Sequence, residues 1–252
     1  MSGEAASRAG LGLPGSQRAL AEAVLAVGKP VVVVLFSGRP LAVPWLCERA
    51  DALLAAWFLG SAAGHAVADV LTGQVSPSGK LAVSWPRQLG QVPLYYAQRP
   101  SGRPSDESEH YSSRYLDVPF TPQFPFGHGL SYARFVLESM RCAPAQVRRD
   151  DEIEVSVAVH NQADLGGEAT VFLFIRDVVA RVARPVLELR GVRKLQLGPR
   201  ERGTASWRLS VEALAGVGED LEPLLEPGIF EIHVGQSADP AAFLSSRVEL
   251  LP

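Results

Sequence analysis

The chain has 252 residues, 47% of them apolar and 20% charged, which excludes a disordered chain and leaves one domain or two open. Twenty-four Lys and Arg against 27 Asp and Glu give a net charge of −3, without the basic excess of a nucleic-acid binder. The longest apolar runs, Val31–Phe36 and Ala52–Leu59, are much shorter than a membrane span, so neither nucleic acid nor membrane is expected as a partner.

The first half alternates helix and strand signals. Pro14 and Ser16 precede a periodic stretch with Leu20, Val24, Leu25 and Val27, and Gly28 follows it, the start and stop marks of an amphipathic helix. Val31–Phe36, β-branched and closed by Ser37-Gly38, reads as a strand buried on both faces. A short helix over Val43–Arg49 and a second apolar run, Ala52–Phe58, come next. Ser61 is placed to cap a helix to about Leu71, ended by Gly73, and Leu81–Trp85 reads as a further strand. Helices and strands of these lengths in alternation predict a parallel sheet covered on both sides.

From about Gln88 to Tyr132, Pro, Gly, Ser and charged residues dominate, threaded by Tyr95, Tyr96, Tyr111, Tyr115, Phe120, Phe124, Phe126 and Tyr132. Those aromatics predict an ordered, functional loop rather than a linker. After Arg141 the period becomes two: Ile153, Val155, Val157 and Val159 alternate with Glu154, Ser156, Ala158 and His160. Further strands fit Ala169–Val178, Val192–Leu197, Thr204–Val211, Gly228–Val234 and Ala241–Leu250, with turns at Gly198-Pro199 and Pro227-Gly228. This spacing predicts an antiparallel β-sandwich.

The chemistry-bearing residues are few. Glu4, in Ser2-Gly3-Glu4-Ala5-Ala6-Ser7-Arg8, could act as a general acid if burial or a neighbouring carboxylate raised its pKa; the alternative is a solvated carboxylate on a frayed end. His65, His110, His128, His160 and His233 have no metal-ligand spacing, and neither metal nor cofactor is expected. Gly60-Ser61-Ala62-Ala63-Gly64 lacks the lysine of a P-loop, so close helix–strand packing accounts for it better than phosphate binding. Asp106-Glu107-Ser108-Glu109 reads as a solvated acidic loop. The loop aromatics either stack on sugar rings or pack a domain junction. Cys47 and Cys142 are too few for a disulfide framework or a zinc site and are expected to be buried, inert thiols. Met1-Ser2-Gly3-Glu4 has neither the basic region nor the apolar stretch of a signal peptide.

Taken in order, GKPVVVVLFSGRPL at 28–41, LTGQVSPSGKL at 71–81, SRYLD at 113–117 and FPFGHGLSY at 124–132 resemble the C-terminal portion of glycoside hydrolase family 3. The tail from Val147, with RPVLELRG at 184–191, resembles the family's fibronectin type III-like domain. The resemblance implies an α/β plus all-β chain. A partial α/β sandwich with a mostly parallel sheet would occupy 1–140, including the aromatic loop 88–132. An immunoglobulin- or fibronectin III-like antiparallel sandwich would occupy 146–252.

In that family a (β/α)₈ barrel carries an aspartate nucleophile, and the α/β domain closes over it with the acid/base glutamate, which matches Glu4 here. Ser2, Gly3 and Arg8 match the surrounding loop, so Ser2 and Arg8, with Tyr111 and Tyr115, are the expected substrate-binding residues. The implied partners are a β-linked glucoside or oligosaccharide and the missing N-terminal barrel. The chain is expected to be a C-terminal fragment of a retaining, exo-acting β-glycosidase, first of all a β-glucosidase, silent by itself. The alternative is a non-catalytic module that binds carbohydrate or protein. The unpaired strand edge left by a partial sheet is an association liability, with a homodimer as one outcome. Compartment stays open, since a periplasmic or secreted relative would carry its signal upstream.

Overall fold

The structure, a computed structural model, describes residues 5–106 and 108–252. The chain forms two units, and it crosses between them repeatedly. The first takes the described residues up to Val75 with Val83–Leu94 and Arg114–Phe124; the second takes Ser76–Ala82, Tyr95–Ser113 and Pro125–Pro252.

In the first unit, helix α1 (Gln17–Leu25), strand β1 (Val32–Leu35), helix α2 (Pro44–Arg49), strand β2 (Ala52–Ala55) and helix α3 (Ala63–Leu71) follow in the expected order. Gly28 and Gly73, just past α1 and α3, hold φ of +70° and +76°, the left-handed backbone that ends a helix. Strands β1 and β2 pair in parallel, Val32 with Ala52 through Leu35 with Ala55.

Four expectations are corrected here. β1 is not buried on both faces: Val32 is 51% exposed and only Leu35 is fully buried, because the described sheet has two strands and neither α1 nor α3 has a fully buried residue. Ser61 does not cap α3; it lies in the 3₁₀ turn Gly60–Ala62, and no side chain caps the helix. Leu81–Trp85 is not a strand. Leu81 instead exchanges backbone hydrogen bonds with the loop at Gly127 and His128, and Trp85 forms an isolated bridge with Phe124. The thiols of Cys47 and Cys142 are half-buried rather than buried; burial raises both pKa values, which disfavours the reactive thiolate.

The second unit contains the β-sandwich. Its strands are β3 (Phe135–Ala143), β4 (Gln146–Val147), β5 (Glu152–Asn161), β6 (Gly167–Asp177), β7 (Glu188–Leu197), β8 (Arg202–Ser210), β9 (Gly216–Val217), β10 (Pro223–Leu224), β11 (Gly228–Gly235) and β12 (Leu244–Leu250). A five-stranded sheet, β4-β12-β11-β6-β7, faces a three-stranded one, β3-β5-β8. All pairs are antiparallel except β4 with β12. Val155, Val157, Val159, Trp207 and Leu209 of the smaller sheet meet Val171, Leu173, Ile175, Ile232 and Val248 of the larger in one core. β3 lies upstream of the period-two signal, and its pattern, with Glu138 and Ser139 adjacent on the exposed side, breaks at an irregularity between Leu137 and Ser139.

β6 is buried on both faces. Its other face presents Phe172 and Phe174 to a second cluster with Leu187 and Ala238, and Tyr96, Phe126 and Phe243 pack against it. Tyr96 lies 4.7 Å from Phe126 and 5.6 Å from Phe174, ring centre to ring centre, and Phe126 lies 5.3 Å from Phe172. For Tyr96 and Phe126 the choice between sugar stacking and packing is therefore decided: they cover the sandwich.

Candidate functional site

In the first unit a cleft of about 620 Å³ opens at the carboxyl end of β1, where ligands bind on parallel sheets. Its floor is Val34, Leu35 and Phe36; its sides are the Ala6–Pro14 segment, the Ser37-Gly38-Arg39 turn and Phe58. Ser37 Oγ donates to the Arg39 carbonyl at 2.8 Å and accepts from the Arg39 amide at 3.3 Å, closing the turn on itself. The Arg39 guanidinium Nη1 donates to the Arg8 carbonyl, and the Ala42 amide donates to Leu11 at 2.9 Å. These bonds tie the segment before α1 to the strand end.

Phe58 enters the cleft from the turn after β2. Trp57 holds φ of +50° and Gly60 φ of +70°, a conformation costly for a bulky residue such as Trp57. Trp57 is held there edge-on to the buried Trp85 at 6.0 Å. A Cβ at Gly38 would sit 2.8 Å from Phe58 Cε2, so glycine at 38 is what seats the ring. Among the described residues the cleft is lined by two cations, Arg8 and Arg39, and by no carboxylate. Neither arginine has an ion pair among the described residues.

The expected site residues distribute as follows. Ser2 and Glu4 lie outside the described residues. Arg8 is exposed and lines the cleft. Tyr115, in the same unit, donates its hydroxyl to the Gly90 carbonyl at 3.1 Å, and is not a lining residue of the cleft. Tyr111 belongs to the second unit, is 75% exposed, and lies edge-on to His110 at 5.0 Å. Arg39, Phe36, Gly38 and Phe58 were not singled out as site residues from the sequence. The available signal was position: a Phe-Ser-Gly-Arg turn directly after a β-branched parallel strand.

The remaining motifs are structural. Asp106 accepts from the Ser108 amide at 2.8 Å and Ser108 Oγ at 2.6 Å, bonds that lower its pKa and fold the acidic loop on itself. Gly60 serves a positive φ, and nothing lies within 4 Å of a Cβ at Gly60 or Gly64, so close helix–strand packing is not their reason. In the Phe-Gly-His-Gly motif, a Cβ at Gly129 would overlap the Gly79 carbonyl, and Lys80 Nζ donates to the Gly129 carbonyl. Burial lowers the pKa of Lys80; burial, then the Lys80 charge, lowers that of His128, with Asp239 opposing. Among the described residues no group of three or more His, Cys, Asp or Glu could hold a metal, and no helix is long and apolar enough to cross a membrane.

Comparison with known proteins gives consistent results. Residues 1–132 match the model of the glycosyl hydrolase family 3 C-terminal domain, and residues 169–238 that of the fibronectin type III-like domain. The whole chain is 40% identical to the periplasmic beta-glucosidase of Salmonella typhimurium, over 253 residues, and covers 33% of it. It is 39% identical over 236 residues to a beta-xylosidase of Formosa agariphila, matching 94% of this chain and 32% of that one. Among solved structures, beta-glucosidase from Listeria innocua in complex with glucose superposes with a TM-score of 0.94 at 40% identity, covering 99% of this chain and 35% of that one. The chain thus spans about a third of the length of these relatives.

Proposed function

The chain belongs to glycosyl hydrolase family 3, and from that premise we propose that it is the C-terminal part of a retaining, exo-acting β-glycosidase, in the first place a β-glucosidase. The observation that carries the proposal is the 40% identity running through the whole chain to a beta-glucosidase. In this reading the (β/α)₈ barrel of the family supplies the nucleophile and most of the sugar pocket, and Glu4 is the acid/base. The nucleophile attacks the anomeric carbon while Glu4 gives its proton to the departing oxygen. Glu4, now a carboxylate, then takes a proton from the water that releases the sugar. The two carboxyl groups of such a pair stand roughly 5–5.5 Å apart, and the acid needs a raised pKa to be protonated at neutral pH.

Arg8 lines the leaving-group side, with Ser2 shaping the loop, and Tyr111 and Tyr115 are proposed as contacts to the substrate. Without a barrel the chain has no nucleophile and is silent. A homodimer through the free edge of β1 is a secondary proposal, read by sedimentation. The test of function is hydrolysis of an aryl β-glucoside by the chain alone and after mixing with a separately expressed family barrel. Activity on mixing, lost in Glu4→Gln, supports the proposal; activity indifferent to Glu4→Gln refutes the role of Glu4.

A further inference from the structure

The cleft at the end of β1 has a composition that a neutral sugar does not explain. Arg8 and Arg39 bring two positive charges, no lining residue among the described ones is acidic, and the chain as a whole is negative. Local positive charge in a concave wall, with no counter-charge among the described residues, attracts an anion. Beside Ser7, Gln17 and Ser37 the lining carries two aromatic rings, Phe36 and Phe58, both exposed, Phe58 by 70%, together with Leu13, Val34 and Leu41. Phe58 is seated by the close approach at Gly38 and by the strained Trp57 turn. Its exposure therefore belongs to a built wall, not to a side chain left in solvent. A cleft with an aromatic wall and an arginine pair fits a ligand with a flat apolar body and a negative end.

We propose that this cleft binds a small aromatic carboxylate, the leaving group of an aryl β-glycoside that carries an acid function. The inference rests on the reading of Arg8 as a substrate-binding residue. Arg8 follows Glu4 in the chain with three residues between them. Arg39 contributes as the second cation and as the residue that fixes the Arg8 backbone; Arg8 has no such tie among the described residues, so its replacement tests charge without loosening the turn.

The experiment is isothermal titration of the 252-residue chain with 4-hydroxybenzoate and with the neutral isostere 4-hydroxybenzyl alcohol. The carboxylate is expected to bind about tenfold tighter than the alcohol, with the advantage shrinking as salt is raised. Arg8→Gln erases the advantage, and Phe58→Ala weakens both ligands. Glu4→Gln does not weaken the carboxylate, so a failure of the glycosidase reading leaves this result standing and the two are separable. Equal affinity for the two ligands, no binding of either, or a preference that survives Arg8→Gln overturns the inference.

Discussion

Arg184→Met is the perturbation that most sharply tests how the β-sandwich is held. Arg184 Nη1 donates to Asp177 Oδ2 at 2.9 Å and to the Leu214 carbonyl at 2.8 Å. Its Nε and Nη2 donate to Glu188 Oε1 at 3.0 and 2.8 Å. The side chains of Arg184, Asp177 and Glu188 are only 9%, 4% and 15% exposed. Removing the arginine leaves Asp177 with the Val179 amide and Glu188 with Arg190. Breaking a buried pair from one side costs about 3–5 kcal/mol, and the surviving partners put this case near 3. For a unit of this size that lowers the melting midpoint by about 6–12 °C.

The pH dependence has a definite sign. Burial raises the Asp177 pKa, against the pull of Arg184. A carboxyl raised in the folded state contributes stability that is full below its unfolded value and is lost as pH rises through the folded one. Taking Arg184 away raises Asp177 further, so the penalty of Arg184→Met shrinks as pH falls from 7 towards 4. Urea denaturation read by tryptophan fluorescence at both pH values measures it. Asp177→Asn in the Arg184→Met background recovers part of the loss. A cost under about 1 kcal/mol, as an exposed ion pair gives, or a penalty that grows on acidification, refutes the reasoning.

Other substitutions probe the packing and the site. Gly191→Ala puts a methyl onto Nε1 and Cδ1 of the buried Trp207; overpacking of this kind costs about 1–3 kcal/mol, seen as a lower urea midpoint with unchanged slope. Phe174→Ala, at a fully buried ring between Tyr96 and Phe243, loses about 3–5 kcal/mol, whereas Tyr111→Ala at an exposed ring stays within about 0.5, both by thermal unfolding. Gly38→Ala displaces the Phe58 ring and weakens 4-hydroxybenzoate binding while leaving the thermal midpoint of the β-sandwich in place.

The sequence carried the fold where a local signal matched a local cause. The helix before Gly28, the β-branched run that became β1, and the alternation that became β5 are all read from period and stop residues. β6 needed more: its nearly continuous apolar run means burial on both faces, and what covers the second face comes from Tyr96 and Phe126, far upstream. β3 was missed because its irregularity at Leu137/Ser139 breaks the period. Leu81–Trp85 was misread because its backbone hydrogen bonds go to a loop far downstream, at Gln123, Phe124, Gly127 and His128. The cleft was half legible. Arg8 follows from its position after Glu4, while the seating of Phe58 by Gly38 depends on two turns meeting in space.

The central claim is that Glu4 serves as the acid/base of a β-glycosidase to which this chain contributes the C-terminal third. The direct measurement replaces the corresponding third of the Listeria innocua beta-glucosidase with this chain and compares Glu4 with Glu4→Gln on two aryl β-glucosides. One carries a leaving group that needs no proton, 2,4-dinitrophenol; the other carries phenol, which does. Loss of general acid catalysis costs about 10²–10⁴-fold, so the account predicts a loss of that order on the phenyl glucoside and a far smaller one in the glycosylation step of the dinitrophenyl glucoside. Equal losses on both, or none, would contradict it.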